Sequence, residues 1–318
     1  MYAEYACSEF GLAFQDTDGG TGLVFSVSSA ANSIHFGAGR CSWYPQNNAT
    51  ASSLATDKYF SNRILESAGV PTLGGEYFFL HERHRALRTA GHEREAALGY
   101  FRKLGATAFA KPLLGSRGDF AQAVYGEDAL LRYLDEVSRY YDSVLIQPLA
   151  SGIEYRVFLL DDEVLYTARK YPPFVLGDGA RPIRDLLAAH DASLQSRGLS
   201  PASVTSDHDI SLDLVLPIGE RWDIPGRMNL SAGGTMVLEA PRSEAALTQA
   251  RKAVRALGLR VAAVDLFTDV GGDPDAIRVI EVNSSPSIRL LEQSGRDDLI
   301  LKIWHHTFSA TGLLAPPI

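Results

Sequence analysis

Apolar and polar residues alternate along this chain with two different periods, and the change from one to the other marks its elements. Residues 1 to about 52 are rich in Gly, Ser and Asn around two apolar stretches, "GLVFSVS" and "SIHFGAG", which predict a small domain with few strands. A helical pattern follows in "TDKYFSNRILESAGVPT": Phe60, Ile64, Leu65 and Ala68 share a face, Thr56 or Asp57 is placed to cap it, and Gly69 followed by Pro71 is a stop. "EREAALGYFRKLG" predicts a second helix. The period then shortens. "TAFAKP" (107–112) and "AQAVY" (121–125) predict two strands around the glycine-bearing turn "LLGSRGDF" (113–120). A helix is predicted at 127–141 from Leu130, Leu131, Leu134 and Val137, and a buried strand at "SVLIQ" (143–147). "EYRVFLLDDEVLYTARKY" (154–171) predicts a hairpin turning near Asp161-Asp162. After the loop "GDG" (177–179), helices are predicted at "PIRDLLAAH", at 243–258 and near 296–308. Between the last two, "VAAVDLFTD" (261–269) and "AIRVIEVN" (276–283) predict strands joined by "VGGDPD". Interleaved strands and helices with hairpins indicate an α+β fold with mixed or antiparallel sheets.

Composition narrows the function. With 318 residues and 46% hydrophobic content the chain can build two or three subdomains around a cleft. A formal charge of −8 argues against a nucleic-acid partner. Cys7 and Cys41 form no metal or disulfide pattern, so reduced thiols and a cytoplasmic setting are expected. No apolar run reaches membrane-spanning length, and the start "MYAEYACSEFGLAF" lacks the features of a signal peptide. The glycosylation-like "NAT" at Asn48 and "NLS" at Asn229 are therefore read as chance.

Within the apolar run "IRVIEVNSSPSIR", Glu281 and Asn283 are two apart and so point to one face of a strand. Asp265 interrupts the equally apolar "AAVDLF". If these strands pair, two carboxylates and an amide oxygen converge. Buried carboxylates stay ionised only beside a cation or strong donors, and this oxygen set suits Mg²⁺. Either acid alone is better explained by bonds to loop N–H groups; the combination on paired strands favours the metal. Lys111 ends a strand just before Gly115 and Gly118, which could let backbone N–H groups approach a phosphate. The motifs G-x-x-x-x-G-K-[ST], G-x-G-x-x-G, H-E-x-x-H and G-x-S-x-G are absent. His81 and His84 in "HERH" are read as a solvated helix, and His305-His306 as structural. With no evident nucleophile–base pair, the residues suit positioning and charge neutralisation, which is what phosphoryl transfer requires.

Four blocks in order, "DKYFSNRILESAGVP", "KPLLGSRG", "GDGARPIRDLL" with "RMNLSAGG", and "VDLF…IEVNSSP", make the chain resemble the ATP-grasp superfamily. The likeness is to the carboxylate–amine ligase branch that holds cyanophycin synthetase, RimK-type ligases and bifunctional glutathione synthetases. It implies an ATP-grasp fold in which two α+β subdomains grip ATP, with divisions at 1–52 (N-terminal domain), 53–147 (central lid subdomain) and 148–318 (C-terminal subdomain with the metal site). It also implies residue roles. Lys58 and Lys111 bind the ATP phosphates, covered by the turn with Gly115, Ser116 and Gly118. Gln147, Pro148, Leu149 and Ala150 form the adenine-holding hinge, and Glu154 meets the ribose. Asp265, Glu281 and Asn283 ligate Mg²⁺, as two ions, with Mn²⁺ an acceptable substitute. Arg227 and Asn229, with Arg169 or Lys170, lie near the γ-phosphate and the intermediate. Arg156, Ser287 and Arg289 face an anionic substrate.

Three features depart from the branch. Gln147 replaces a glutamate, Phe120 stands where another glycine is common, and the segment before Asp57 is short. The implied activity is ATP-dependent amide formation between amino acids or small peptides through an acyl phosphate, with a dimer compatible. A phosphotransferase acting on a hydroxyl, or a nucleotide-binding module without turnover, are the competing readings.

Overall fold

The computed structural model describes residues 2–37, 43–115, 118–196, 211–224, 233–273 and 275–315. The described chain forms two compact units. One comprises Met1–Thr72, Tyr155–Ala168 and Leu238–Ile318, the other Leu73–Glu154 and Arg169–Val237. Neither follows the chain in a single run, which a division by sequence position could not show. No helix among the described residues is long and apolar enough to cross a membrane.

The Leu73–Glu154 part of the second unit is a four-stranded antiparallel sheet. Its strands lie in the order Glu76–Phe79, Ser143–Gln147, Thr107–Pro112, Gln122–Tyr125. Helices Arg94–Lys103 and Glu127–Val137 bring Ala97, Phe101, Leu130 and Leu134 into one core with Ala108, Ala110, Val144 and Ile146. Strand side chains alternate, so Phe109, Lys111, Leu145 and Gln147 project from the opposite face. A second small core, with Val175, Ile183, Leu186 and Ile224, holds the two-stranded antiparallel sheet Phe174–Leu176/Arg221–Asp223 against helix Ile183–Ser196.

A five-stranded sheet is ordered Thr235–Leu238, Glu163–Tyr171, Ile153–Leu160, Val261–Thr268, Arg278–Asn283, and strands Val261–Thr268 and Arg278–Asn283 lie wholly in the first unit. Helix Glu244–Leu257 buries Ala246, Ala250, Val254 and Leu257; Ser243 caps its start and Gly258, at φ 72°, ends it. The two apolar stretches of the N-terminal region form strands Val24–Ser28 and Ser33–Gly37 of an antiparallel three-stranded sheet with Ala13–Asp16. Phe25 and Phe36 stack at 5.1 Å, and Trp304 of helix Asp297–Ala310 meets both rings edge-on.

Several expectations need correction. Helix Lys58–Ser67 exists, capped by the Asp57 carboxylate, which accepts from Tyr59 N and Phe60 N at 3.0 Å. Its buried face, however, is Ser61, Asn62 and Leu65, while Phe60 is 52% exposed and Ala68 is exposed. Tertiary neighbours chose a face one step round from the apolar stripe. His81 and His84 lie in a turn, not a helix; His84 has φ 62° and precedes a single 3₁₀ turn. Helices Tyr2–Phe10 and Ala49–Thr56 were not foreseen. In the second, "ATASSLAT" buries only Ala51 and Ala55, too little contrast for a periodic signal.

Asn47 ties the N-terminal region to the strands that matter below. Its Oδ1 accepts from Arg260 N (2.8 Å) and Val261 N (3.0 Å), and its Nδ2 donates to Val261 O (2.8 Å) and Ser284 O (3.0 Å). One buried amide thus joins the start of strand Val261–Thr268 to the residue just beyond Asn283. Asn47→Ala strands buried backbone groups at both places. We expect it to lower the unfolding free energy by about 2–4 kcal/mol, read by urea denaturation; a loss within about 0.5 kcal/mol would be that of an ordinary surface change.

Candidate functional site

Strands Val261–Thr268 and Arg278–Asn283 pair antiparallel with Asp265 opposite Glu281 and Ala263 opposite Asn283. The register then shifts, Leu266 facing Val279, so Ile280 is a bulge residue. The bulge allows Val279 and Val282, three positions apart, both to be buried, while Glu281 and Asn283 share the other side. Asn283 Nδ2 lies 3.2 Å from Glu281 Oε1 and 3.5 Å from Asp265 Oδ2. The three expected metal ligands therefore converge.

Asp265 is 1% exposed, and its charge is answered within the protein. Arg156 Nε and Nη2 donate to its two carboxylate oxygens, both at 2.8 Å. Burial alone would lower the Arg156 pKa. The Asp265 charge and hydrogen bonds, with smaller help from Tyr166 and Glu281, outweigh burial and raise it. Arg156, expected toward the substrate, here pairs with Asp265. Lys58, the first residue of its helix, has its pKa lowered by burial against the opposing pull of Glu281 and Asp57. It thus shares the electrostatic environment of the same acidic pair.

Mg²⁺ fits this donor set. A carboxylate oxygen can accept from more than one partner, so Asp265 and Glu281 offer a hard cation oxygen donors beside the hydrogen bonds they already make. Rotating the Asn283 amide presents Oδ1 where Nδ2 now faces the acids. Two carboxylates and one amide oxygen form a hard set that leaves positions for water and phosphate.

The second unit holds the other expected residues. Lys111 is 5% exposed at the end of strand Thr107–Pro112, and Gln147 is fully buried opposite Phe109. Gln147 Nε2 donates to Gly74 O at 2.6 Å, which fixes the amide's orientation and leaves Oε1 a buried acceptor with no partner among the described residues. Gly75 must be glycine: its φ is 110°, and a Cβ there would stand 2.6 Å from Gln147 Cγ. Glu154 and Lys170, both buried, form a direct ion pair. Arg169 instead lays its guanidinium over the Tyr171 ring at 4.7 Å. Alternation along the strand thus separates the two cations that the sequence left as alternatives, Lys170 being the one on a carboxylate.

In the turn, a Cβ on Gly115 would meet Pro112 Cβ at 2.9 Å, and Gly118 has φ 70°. Phe120, where glycine is common, has φ 53°; its ring stacks on Tyr140 at 5.3 Å and meets Tyr141 edge-on at 6.0 Å. The position needs a left-handed backbone, and ring packing offsets the strain that a side chain brings there. Ser287 Oγ accepts from Arg289 N at 3.4 Å, and both residues are exposed. Pro148 and Leu149 are exposed and Ala150 is partly so. Ser116, Arg227 and Asn229 lie outside the described residues. Sequence reasoning missed the two acid–cation pairings; the only signal was Glu and Arg placed inside otherwise apolar strands.

No protein-family model matches the chain. Among curated proteins it is similar to cyanophycin synthetase of Trichormus variabilis, 27% identical over 259 residues that cover 74% of this chain and 27% of that protein. It is also similar to the glutathione biosynthesis bifunctional protein GshAB of Enterococcus faecalis, 26% identical over 276 residues, 77% of this chain and 34% of that protein. The chain thus spans about a third or less of the length of these relatives. Among solved structures, D-alanine–D-alanine ligase from Bacillus anthracis gives a TM-score of 0.54 at 15% identity, covering 82% of this chain and 69% of that one. A bifunctional glutathione synthetase from Pasteurella multocida gives 0.52 at 18% identity, covering 95% and 43%. The chain has the ATP-grasp fold. The resemblance carried by the four sequence blocks is borne out, and the sheet bearing Asp265, Glu281 and Asn283 lies within that fold.

The Arg156–Asp265 pair makes a stability prediction. Arg156→Met leaves a buried carboxylate without countercharge and should cost about 3–5 kcal/mol. Adding Asp265→Asn should recover much of that loss. Urea unfolding of the wild type and the single and double variants measures both; equal losses in single and double variants would show that the pair is not the source.

Proposed function

We propose that this chain is an ATP-dependent carboxylate–amine ligase. It joins amino acids or small peptides through an acyl phosphate and releases ADP and phosphate. The reading rests chiefly on one observation: Asp265, Glu281 and Asn283 converge on paired strands of an ATP-grasp fold. Its relatives and structural neighbours bear the names of ligases and synthetases.

Lys58 and Lys111 supply positive charge for phosphate oxygens. Gln147 Oε1, the unpartnered acceptor, takes a hydrogen bond from the exocyclic amine of adenine, with the Pro148 carbonyl and the Ala150 N–H beside it and Leu149 between them. Glu154 accepts from a ribose hydroxyl while Lys170 holds its carboxylate in place. Mg²⁺, as two ions or with Mn²⁺ in its place, would be held by Asp265, Glu281 and Asn283 and would neutralise charge on the phosphates. The turn containing Gly115, Ser116 and Gly118 excludes water, because an acyl phosphate hydrolyses.

The chemistry balances in two steps. A substrate carboxylate oxygen bonds to the γ-phosphorus as the bond to the ADP oxygen breaks. An amine nitrogen then bonds to the acyl carbon, phosphate leaves with the electron pair, and the nitrogen loses a proton. Arg227 and Asn229 are assigned to the charge that develops there, and Ser287 and Arg289 to an anionic substrate. A cytoplasmic setting and a dimer are compatible with this reading.

Screening amino-acid pairs for ADP release, with hydroxylamine present, should yield a hydroxamate from the activated acid. ADP release with a stable phosphorylated alcohol and no hydroxamate would refute the ligase reading. Glu281→Gln should reduce ADP release by about 100-fold or more with the unfolding midpoint nearly unchanged. It is a cleaner probe than an Asp265 variant, which would leave Arg156 unpaired. Gln147→Leu should lower kcat/KM for ATP by about tenfold, equivalent to one lost hydrogen bond, mainly through KM; an unchanged KM would remove Gln147 from the adenine contact.

A further inference from the structure

The first unit contains a cavity that none of these roles uses. Helix Tyr2–Phe10, the turn before strand Val24–Ser28, Trp43 and helix Asp297–Ala310 enclose about 470 Å³. That is ample for a ligand of amino-acid size. Its walls are aromatic: Tyr2, Tyr5, Phe25, Trp43 and Trp304. Among the described residues, the charged ones that line it are Glu292 and Asp297, both exposed at the rim, and no Lys, Arg or His does so. The nearby Arg289 acts on the Tyr2 hydroxyl, which also donates to Glu292 Oε2 at 2.8 Å.

Aromatic faces carry negative potential and attract an ammonium or guanidinium group, and two carboxylates add to that attraction. The same walls bury an apolar body. Two rim carboxylates stand against the single Arg289 beside Tyr2, so the local balance of charge favours a cationic group over an anion. We propose that this cavity is a binding site for an organic ammonium ligand with an aromatic or similarly apolar body.

The wall is also tied to the metal-bearing strand. Trp43 N donates to Ser285 Oγ at 3.5 Å, two residues beyond Asn283. A ligand seated against Trp43 therefore bears on the segment that follows the metal ligands. The site stands on its own cavity and charge, independent of the ligase reading.

Isothermal titration of the full-length chain, without nucleotide, tests it with three probes of one shape. Tryptamine carries the ammonium, N-acetyltryptamine is neutral and indole-3-propionate is anionic. Tryptamine should bind at a single site with submillimolar affinity, N-acetyltryptamine about tenfold or more weaker, and indole-3-propionate weaker still. The double variant Glu292→Gln/Asp297→Asn, with folding checked by circular dichroism, should weaken tryptamine by about tenfold and leave N-acetyltryptamine unchanged. No tryptamine binding at millimolar concentration, equal binding of all three probes, or tryptamine binding indifferent to the double variant would each overturn the assignment. Because ATP turnover is not measured, a failed ligase assay leaves this result intact, and the converse also holds.

Discussion

Two carboxylates facing each other across neighbouring strands are the constraint around which the first unit is arranged. Asp265 and Glu281 are register partners, and Asp265 is removed from water. Like charges so placed repel and have lost hydration, so the fold must supply positive charge or hydrogen-bond donors. It supplies Arg156 as a two-bond clamp, the Asn283 amide hydrogens and the nearby Lys58. The same property that makes the arrangement costly in isolation would suit it to a divalent ion, as proposed. A cation that replaces part of this internal compensation gains an oxygen set already converged.

The surrounding structure holds that convergence in place. The bulge at Ile280 turns Glu281 and Asn283 to one side while burying Val279 and Val282 on the other. Asn47 closes both strand ends with four hydrogen bonds. In the second unit the parallel case is the Glu154–Lys170 pair, where a buried acid directly faces a buried cation. Ion pairs of this kind add little net stability against apolar replacements, so their presence inside otherwise hydrophobic strands points to a role beyond folding.

Departures from the family pattern have local physical accounts. Phe120 occupies a left-handed backbone position that glycine would take without strain, and its ring compensates through Tyr140 and Tyr141. Gln147 is neutral where an acid is usual. Because its amide nitrogen is committed to Gly74 O, it still presents an acceptor oxygen as a glutamate would. The substitution preserves hydrogen-bond polarity while sparing the interior a charge.

The sequence by itself determined most strands and amphipathic helices, because alternation and the 3.6-residue period are local consequences of burying one face. It determined the hairpin of the acid-bearing strands and, through four ordered blocks, the ATP-grasp fold. Tertiary structure alone decided which cation answers which acid, since Arg156 and Asp265 are 109 positions apart. It likewise chose the buried face of helix Lys58–Ser67, placed the weakly patterned helices Tyr2–Phe10 and Ala49–Thr56, and closed an aromatic cavity from residues at both ends of the chain. Such contacts have no period, because they depend on which surfaces meet and not on the order in which residues are joined.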